Sequence, residues 1–470
     1  MNNDNPNPLQ NSIDALQSAQ RKAQVYLENI SARAVAPSTS DLSNLAMLDI
    51  ELPEHPNEAN ESIELLDKYG SPATVATVGG RFYGLVVGGA LPATVGTRVL
   101  AAAWDQLATS QATSPVSMQI ERTATKWLQQ LFGLPSSCSV GFVSGTTMGN
   151  FICLAAARHR HLAQQGWDVE KQGLYGAPPL HIVASEEIHI TVAKVLAMLG
   201  LGSDNVERVA TDDNGAILLE AMPDLKPESI VITQAGNVNS GAIDPISEIA
   251  DLAQKVGAWV HVDGAFGLWA ATSEKTKHKL KGFEKADSWV TDGHKWLNTP
   301  YDCGIAFCQH PKSLHNAMST VAPYLSKGFD MAPKDMVPEF SRSARAMDVW
   351  AALHSLGKSG VSGLVDRCCQ HARFAALELE KLGFDILNQV ALNQVVVSHP
   401  VHESRLAELT DRVCASGEAW FGVTHWKQRD GFRLSFSSWV TTPDDVIRLI
   451  NAIKSTATDM GICEKSQTLK

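Results

Sequence analysis

The sequence predicts an α/β fold: a mixed, mostly parallel sheet covered by helices, with a helical arm before it and a smaller α+β domain after it. Three observations carry this reading. Between Val140 and His310, short β-branched runs alternate with helical stretches, which is the pattern of strand–helix–strand units. The carboxyl ends of those strands are polar, and ligands of open parallel sheets bind there. Beyond Met347 the texture changes to one long helical region followed by three more strand-like runs.

Composition narrows the class. The chain has 470 residues, of which 44% are hydrophobic and 19% charged, enough apolar material for a large core. A net charge of −11 disfavours unspecific nucleic-acid binding. Eight cysteines without any C-x-x-C pattern suit reduced thiols in a cytoplasm. The opening MNNDNPNPLQ lacks the basic and apolar regions of a signal peptide, and no run of apolar residues is long enough to span a membrane.

In chain order, the spacing of Leu16, Ala19, Ala23, Tyr26, Leu27 and Ile30 predicts an amphipathic helix over 13–30 that needs a surface to lie against. Residues 31–60, rich in Pro, Ser and Asn, read as a linker or extended arm. A Gly-rich stretch covers 79–89, and helical pattern continues to Phe132. Strands are predicted at 181–185, 229–236, 258–264, 287–293 and 304–309, with an apolar strand end at Val143. Between two of them PISEIADLAQKVG predicts a helix with Pro245 in its first turn and Ile246, Ile249, Leu252 and Val256 on one face. A helical region runs from Met347 to Leu382, followed by strands at 393–399, 420–426 and 431–438 and a final helix from Thr442. The expected domains are an N-terminal helix and arm (1–70), a large domain (71–350) and a small C-terminal domain (351–470).

The strand ends carry the chemistry. His189 follows the strand at 181–185, Asn237 the strand at 229–236, Asp263 ends the next, and His294 and Lys295 follow the fourth. An activated lysine forms a Schiff base with a carbonyl, a buried carboxylate can keep a pyridine nitrogen protonated, and an aromatic ring can stack on the pyridine face. Pyridoxal 5′-phosphate needs all three, together with phosphate donors of the kind a helix N-terminus supplies. The run VSGTTMGN (143–150) offers these through Gly145, Thr146 and Thr147. Singly, a Gly-Thr-Thr is commonly a helix cap and a lysine in HKW is commonly solvated. Asp263 is harder to explain that way, because a carboxylate at the end of an apolar strand needs a partner.

With these residues in place, the sequence resembles the pyridoxal-phosphate-dependent group II amino-acid decarboxylases, of aspartate-aminotransferase fold (fold type I), over roughly residues 71–442. The motifs are SPVSMQIERTATKWLQQLFGLP (114–135), VSGTTMGN, SEEIHITVAK (185–194), QAGNVNSGAID (234–244), HVDGAFG (261–267), DGHKW (292–296), SRSARAMDVWAAL (341–353) and FRLSFSSWVTTPDD (432–445). The resemblance implies Lys295 as the Schiff-base lysine, Asp263 as the partner of the ring nitrogen, and His189 as the stacked ring that also helps protonate the product. It implies Gly145, Thr146, Thr147 and His294 at the phosphate, Ala265 under the ring, and Asn237 beside the cofactor. Phe82, Tyr83, Leu85 and Val86 on the Gly-rich stretch become candidates for the substrate pocket. Arg433 either holds a substrate carboxylate or braces the domains, and Ser341 or Ser343 is a candidate for phosphate help from a second subunit. A homodimer with the active site at its interface and the N-terminal helix wrapped around the partner is implied, with a small amino acid as substrate.

Three departures from the family pattern stand out. Met148 replaces a common acidic residue. Asp292 stands where Asn or Ser is frequent, so its carboxylate is expected to point away from the phosphate or to pair with a cation. Many relatives have a proton-donating tyrosine on the mobile loop, but this chain has no tyrosine after Tyr324, itself a weak substitute at the loop's start. Decarboxylation of an L-amino acid is the expected reaction. An aminotransferase, or an enzyme diverting the carbanion to oxygen, is the alternative, and a fold kept only for binding is a third reading that Lys295 and Asp263 oppose.

Overall fold

Seven strands build the large sheet: β1 (Ser139–Val143), β2 (His181–Ser185), β3 (Val206–Val209), β4 (Ser229–Gln234), β5 (Trp259–Asp263), β6 (Ser288–Asp292) and β7 (Gly304–Cys308). The computed structural model describes residues 8–320 and 332–463. The strand order is β1-β7-β6-β5-β4-β2-β3. The β2–β3, β2–β4, β4–β5 and β5–β6 pairs are parallel, and β7 runs antiparallel to both β1 and β6. Every residue of β1, β4, β5, β6 and β7 is buried. Strands covered on both faces read as continuous apolar runs, which is why SIVITQ and WVHVD stand out in the sequence.

The five predicted strands of this sheet form within two residues of their expected ends. β3 escaped the sequence reading because VERV is short and half of it is exposed. The helix Ile246–Val256 forms as expected, but Pro245 sits at its N-cap rather than in its first turn, and left-handed Gly257 ends it.

A second, antiparallel sheet contains β8 (Asp385–Ile386), β9 (Gln394–Ser398), β10 (Gly422–Trp426) and β11 (Arg429–Ser435), in the order β10-β11-β9-β8. The helix Ala346–Lys381 precedes it, broken at Gly357, whose φ of 59° departs from helical geometry. Lys427 and Gln428, both at positive φ, make the two-residue turn between β10 and β11. The helix Pro443–Asp459 is started by a capping box between Thr442 and Asp445.

The N-terminal helix spans Pro8–Glu28, and Lys22 ties it to Glu64 and Asp67 of the helix Ala59–Ala73. Leu9, Ile13, Leu16, Val25 and Leu27 remain exposed in the single chain. The stretch 31–60 is not a plain linker: Ser38 and Asp41 form a capping box that starts a short helix, Thr39–Asn44. All eight cysteines are free thiols. No helix among the described residues is long and apolar enough to cross a membrane.

Candidate active site

Strands β1, β2, β4, β5 and β6 deliver their carboxyl ends to one edge of the sheet. Val143 leads through Ser144 and Gly145 into the helix Thr146–Gln164. Ser185 leads to His189, the N-cap of the helix Ile190–Met198. Asp263 ends β5, and Asp292 ends β6 two residues before His294. The edge is closely built. A side chain at Gly304 would strike the backbone of Gly145 at 2.5 Å, and one at Gly88 would strike the carbonyl of Lys295 at 1.9 Å. The Gly-rich stretch 79–89 therefore passes directly over the lysine turn.

Asp263 is buried and accepts only from neutral donors: Asn150 Nδ2 at 3.0 Å on Oδ2 and the Ala265 N–H at 3.1 Å on Oδ1. Among the described residues no basic side chain pairs with it. Behind it lies a directed chain of hydrogen bonds. The indole N–H of Trp259 donates to Ser288 Oγ at 2.9 Å. The Ser288 hydroxyl donates to His261 Nδ1 at 2.8 Å, His261 Nε2–H donates to Asn150 Oδ1 at 2.8 Å, and the Asn150 amide donates to Asp263. An indole nitrogen can only donate and an ionised carboxylate can only accept, so the two ends set every proton between them. Burial pushes the His261 pKa down to about 3, which keeps its ring neutral in that role. Neither His261 nor Asn150 was singled out from the sequence as part of the site. Their signal was available: one lies two residues before Asp263, and the other inside the phosphate-loop motif.

Asp292 is just as buried but differently partnered. Its Oδ1 accepts from the Thr146 N–H at 2.7 Å and its Oδ2 from the Thr146 hydroxyl at 2.9 Å. Lys295 Nζ lies 3.1 Å from the same Oδ2, and His294 Nε2 is 3.6 Å away. Of the two expectations for this residue, pairing with a cation is the one realised, while the carboxylate stays at the helix end. His294 Nδ1 accepts from the Cys303 N–H, its ring stacks on Tyr301, and burial lowers its pKa against the opposing pull of Asp292. Lys295 keeps about a fifth of its side chain accessible. Ala265 joins the two carboxylate strands, its N–H going to Asp263 and its carbonyl accepting the Asp292 N–H. Thr147 makes no side-chain hydrogen bond among the described residues.

His189 is held through Nδ1, which contacts the Thr191 hydroxyl at 2.7 Å and accepts from the Thr191 N–H. Burial pushes its pKa down, and the charge of Asp263 pulls it partly back. Asn237 is buried, but its side chain serves the chain fold. Its Oδ1 accepts from the N–H groups of Asn239 and Ser240, and its Nδ2 donates to Glu187. The Asn237 side chain holds this turn, as Asn side chains readily cap their own backbone. Glu187 also accepts from the indole of Trp426 and pairs with Lys427, tying the loop before His189 to the small sheet.

Of the substrate candidates, Phe82 stacks on Trp420 with ring centroids 4.7 Å apart, and the Tyr83 hydroxyl donates to the Asp445 carbonyl. Both side chains are buried. Leu85 is 60% exposed and carries a positive φ. Arg433 donates to the Val238 carbonyl at 2.7 Å and to Asn239 Oδ1 at 3.1 Å, so its guanidinium braces the two sheets. Ser341 and Ser343 are exposed on either side of Arg342, which is buried against Glu121. Tyr324 lies outside the described residues.

Residues 45–399 match the model of the pyridoxal-dependent decarboxylase conserved domain. An aromatic-L-amino-acid decarboxylase of Bacillus atrophaeus is 28% identical over 381 residues, covering 73% of this chain and 74% of that protein. An L-2,4-diaminobutyrate decarboxylase of Rhizobium meliloti is 29% identical over 400 residues, covering 79% and 76%. A 4-hydroxyphenylacetaldehyde synthase of Rhodiola rosea is 27% identical over 373 residues, covering 73% and 74%. Among solved structures, Oryza sativa TDC with PLP and tryptamine superposes with a TM-score of 0.86 at 21% identity, covering 97% of this chain and all of that one. The last likeness establishes the fold.

Proposed function

We propose, for a chain that belongs to the pyridoxal-dependent decarboxylase family, that it removes the α-carboxyl group of an L-amino acid to release the amine, with Lys295 as the residue that carries the cofactor. The observation that carries this reading is the meeting, at one sheet edge, of an accessible lysine, a buried carboxylate and a helix N-terminus.

The residues present fit pyridoxal phosphate. Asp263 is a buried carboxylate with neutral donors and, among the described residues, no cation, the condition in which a protonated ring nitrogen would complete it. Lys295 would hold the aldehyde carbon, Asp263 the ring N–H, His189 one ring face and Ala265 the other. Thr146, Thr147 and His294 would hold the phosphate. When bound, the cofactor supplies an electrophilic aldehyde and a ring that takes up the electron pair left by departing CO2.

The chain's own groups do the rest. Asp263 cannot turn, because the Asn150 amide and the Ala265 N–H fix both oxygens. The chain from Trp259 to Asn150 holds that carboxylate's orientation before any substrate arrives. His189 has one ring nitrogen engaged by Thr191 and its other free of hydrogen bonds among the described residues, which suits moving a proton there. Burial favours its neutral form, and with Nδ1 accepting from the Thr191 N–H the ring's one proton sits on Nε2, ready to be donated. Lys295 keeps its amine 3.1 Å from Asp292 Oδ2, which positions it at the helix end.

A second reading keeps the cofactor and changes the product: an aldehyde-forming or amino-transferring enzyme. The lack of any tyrosine after Tyr324 favours keeping it in play. We further propose a homodimer, supported by the exposed apolar residues Leu9, Ile13, Leu16 and Leu27 on the N-terminal helix, and a cytoplasmic location, supported by eight free thiols. Borohydride reduction of the holo-protein should place a pyridoxyl mass on Lys295. An amino-acid panel assayed for CO2, ammonia, keto acid and peroxide should then give CO2 and amine. Keto acid without CO2 would remove decarboxylation, and a label on another residue would remove the site.

A further inference from the structure

The site already contains an anion. Asp292 occupies both hydrogen-bond donors of Thr146, the first residue of the helix Thr146–Gln164, and the same carboxylate lies against Lys295. An anion at a helix N-terminus is stabilised by the unsatisfied N–H groups and the helix dipole, and a phosphate seeks the same donors. A phosphate would compete with Asp292 for the two donors of Thr146. A carboxylate and a phosphate dianion at neighbouring positions repel, and a partly buried site screens them little. The Asp292 backbone is not free to retreat. Its N–H is bonded to the Ala265 carbonyl, its carbonyl accepts the Trp269 indole at 3.0 Å, and it ends a buried strand. Only the side chain can move, and the other group next to it is His294 Nε2 at 3.6 Å.

Resting on the cofactor reading above, we propose that Asp292 is an internal latch. It fills the phosphate cradle at Thr146 and pairs with Lys295 in the empty protein, and arrival of the cofactor's phosphate expels it from both. Phosphate binding and release of the lysine are thereby one event. A pyridoxal derivative without phosphate cannot turn the carboxylate out of the cradle, so the latch selects the phosphorylated cofactor at the step of capture. The cost is weaker retention of the cofactor than the same cradle would give with a neutral residue at 292.

The test uses the full-length protein stripped of cofactor and titrated with pyridoxal phosphate, followed by the visible absorbance of the bound form. Asp292→Asn and Asp292→Ala should each lower the Kd about tenfold or more, the scale expected for removing one charge repulsion of about 1.4 kcal/mol. Inorganic phosphate should raise the melting temperature of the stripped variants more than that of the stripped wild type. Pyridoxal should gain less than pyridoxal phosphate does. Unchanged or weaker cofactor binding in both variants would overturn the latch. Tightening in Asp292→Asn alone would also overturn it, by showing an added amide donor rather than a removed anion. The wild-type chain offers a check that needs no variant: with inorganic phosphate bound at Thr146, a crystal structure should show Asp292 Oδ1 withdrawn from the Thr146 N–H. Phosphate bound with that bond intact would overturn the proposal. A wild-type protein with no pyridoxyl label on Lys295 removes the cofactor reading and the latch together. A label on Lys295 with unchanged affinity in the variants removes the latch alone.

Discussion

Asp263 and Asp292 end neighbouring parallel strands, are almost equally buried, and are joined through one residue, Ala265. Yet their surroundings divide them. Asp263 meets neutral donors that are themselves locked by a buried chain of hydrogen bonds, so it keeps its place, and no cation pairs with it among the described residues. Asp292 meets a helix N-terminus and a lysine, both of which the proposed cofactor site would also engage. Burial makes either charge costly to leave unpaired, but the mobility of the partners decides what the charge does. A carboxylate held by fixed dipoles serves as a permanent electrode, while one held by partners that can be drawn elsewhere serves as a removable one.

The comparison breaks most visibly at Asp263. Asp263→Ala should lower turnover by about 10²–10³-fold while the protein stays folded, since a preorganised charge at the reacting system is worth that much. Turnover within a few-fold of wild type, measured on a saturated holo-enzyme, would show that this carboxylate is not the fixed electrode. At Asp292 the opposite sign is expected, with tighter cofactor binding on removal of the charge.

A smaller effect should appear one residue further back. Asn150→Leu leaves His261 Nε2–H without its acceptor and removes the amide donor of Asp263, at about 1–3 kcal/mol for the orphaned groups. Urea unfolding of the cofactor-free protein measures the loss. A stability equal to wild type would mean that water or a rearranged side chain replaces the link.

The smallest and most specific effect is in pH. His261 titrates in the fold at about 3, below the ordinary value of 6.5, because burial disfavours its charged form. A depressed folded pKa contributes stability that is present above pH 6.5 and is lost as pH falls toward 3. The unfolded chain then takes up a proton that the fold refuses. The slope is about 1.4 kcal/mol per pH unit for one such proton. His261→Gln should flatten the pH dependence of the unfolding midpoint between pH 6.5 and 5 by that amount. Parallel pH profiles for the two proteins would show that the ring is already protonated, and the hydrogen-bond direction would have to be redrawn.

Some of this site was legible before any coordinate. Asp263 ends, and Lys295, His189 and the Thr146 loop each follow, a strand whose apolar run is a local signal, and parallel strands present such ends together. The strand ends at 185, 263 and 292 could be read almost to the residue. β3 could not, because four residues with an exposed middle carry no periodicity. The side-chain directions of Asn237 and Tyr83 were illegible for a related reason. Residue type and position said that they lay near the edge, but the direction of each side chain was decided by a turn and by the Asp445 carbonyl.

By itself the sequence determined the alternation of strands and helices, the residues at the strand ends and hence the class of chemistry, because burial period and capping act over a few neighbouring residues. The tertiary structure alone decided that Asn150 reaches across 113 residues of chain to Asp263, that His261 is neutral, and that Asp292 sits on Thr146, 146 positions away. Hydrogen-bond direction and charge state depend on which distant groups share a desolvated volume, and that volume exists only after the chain has folded.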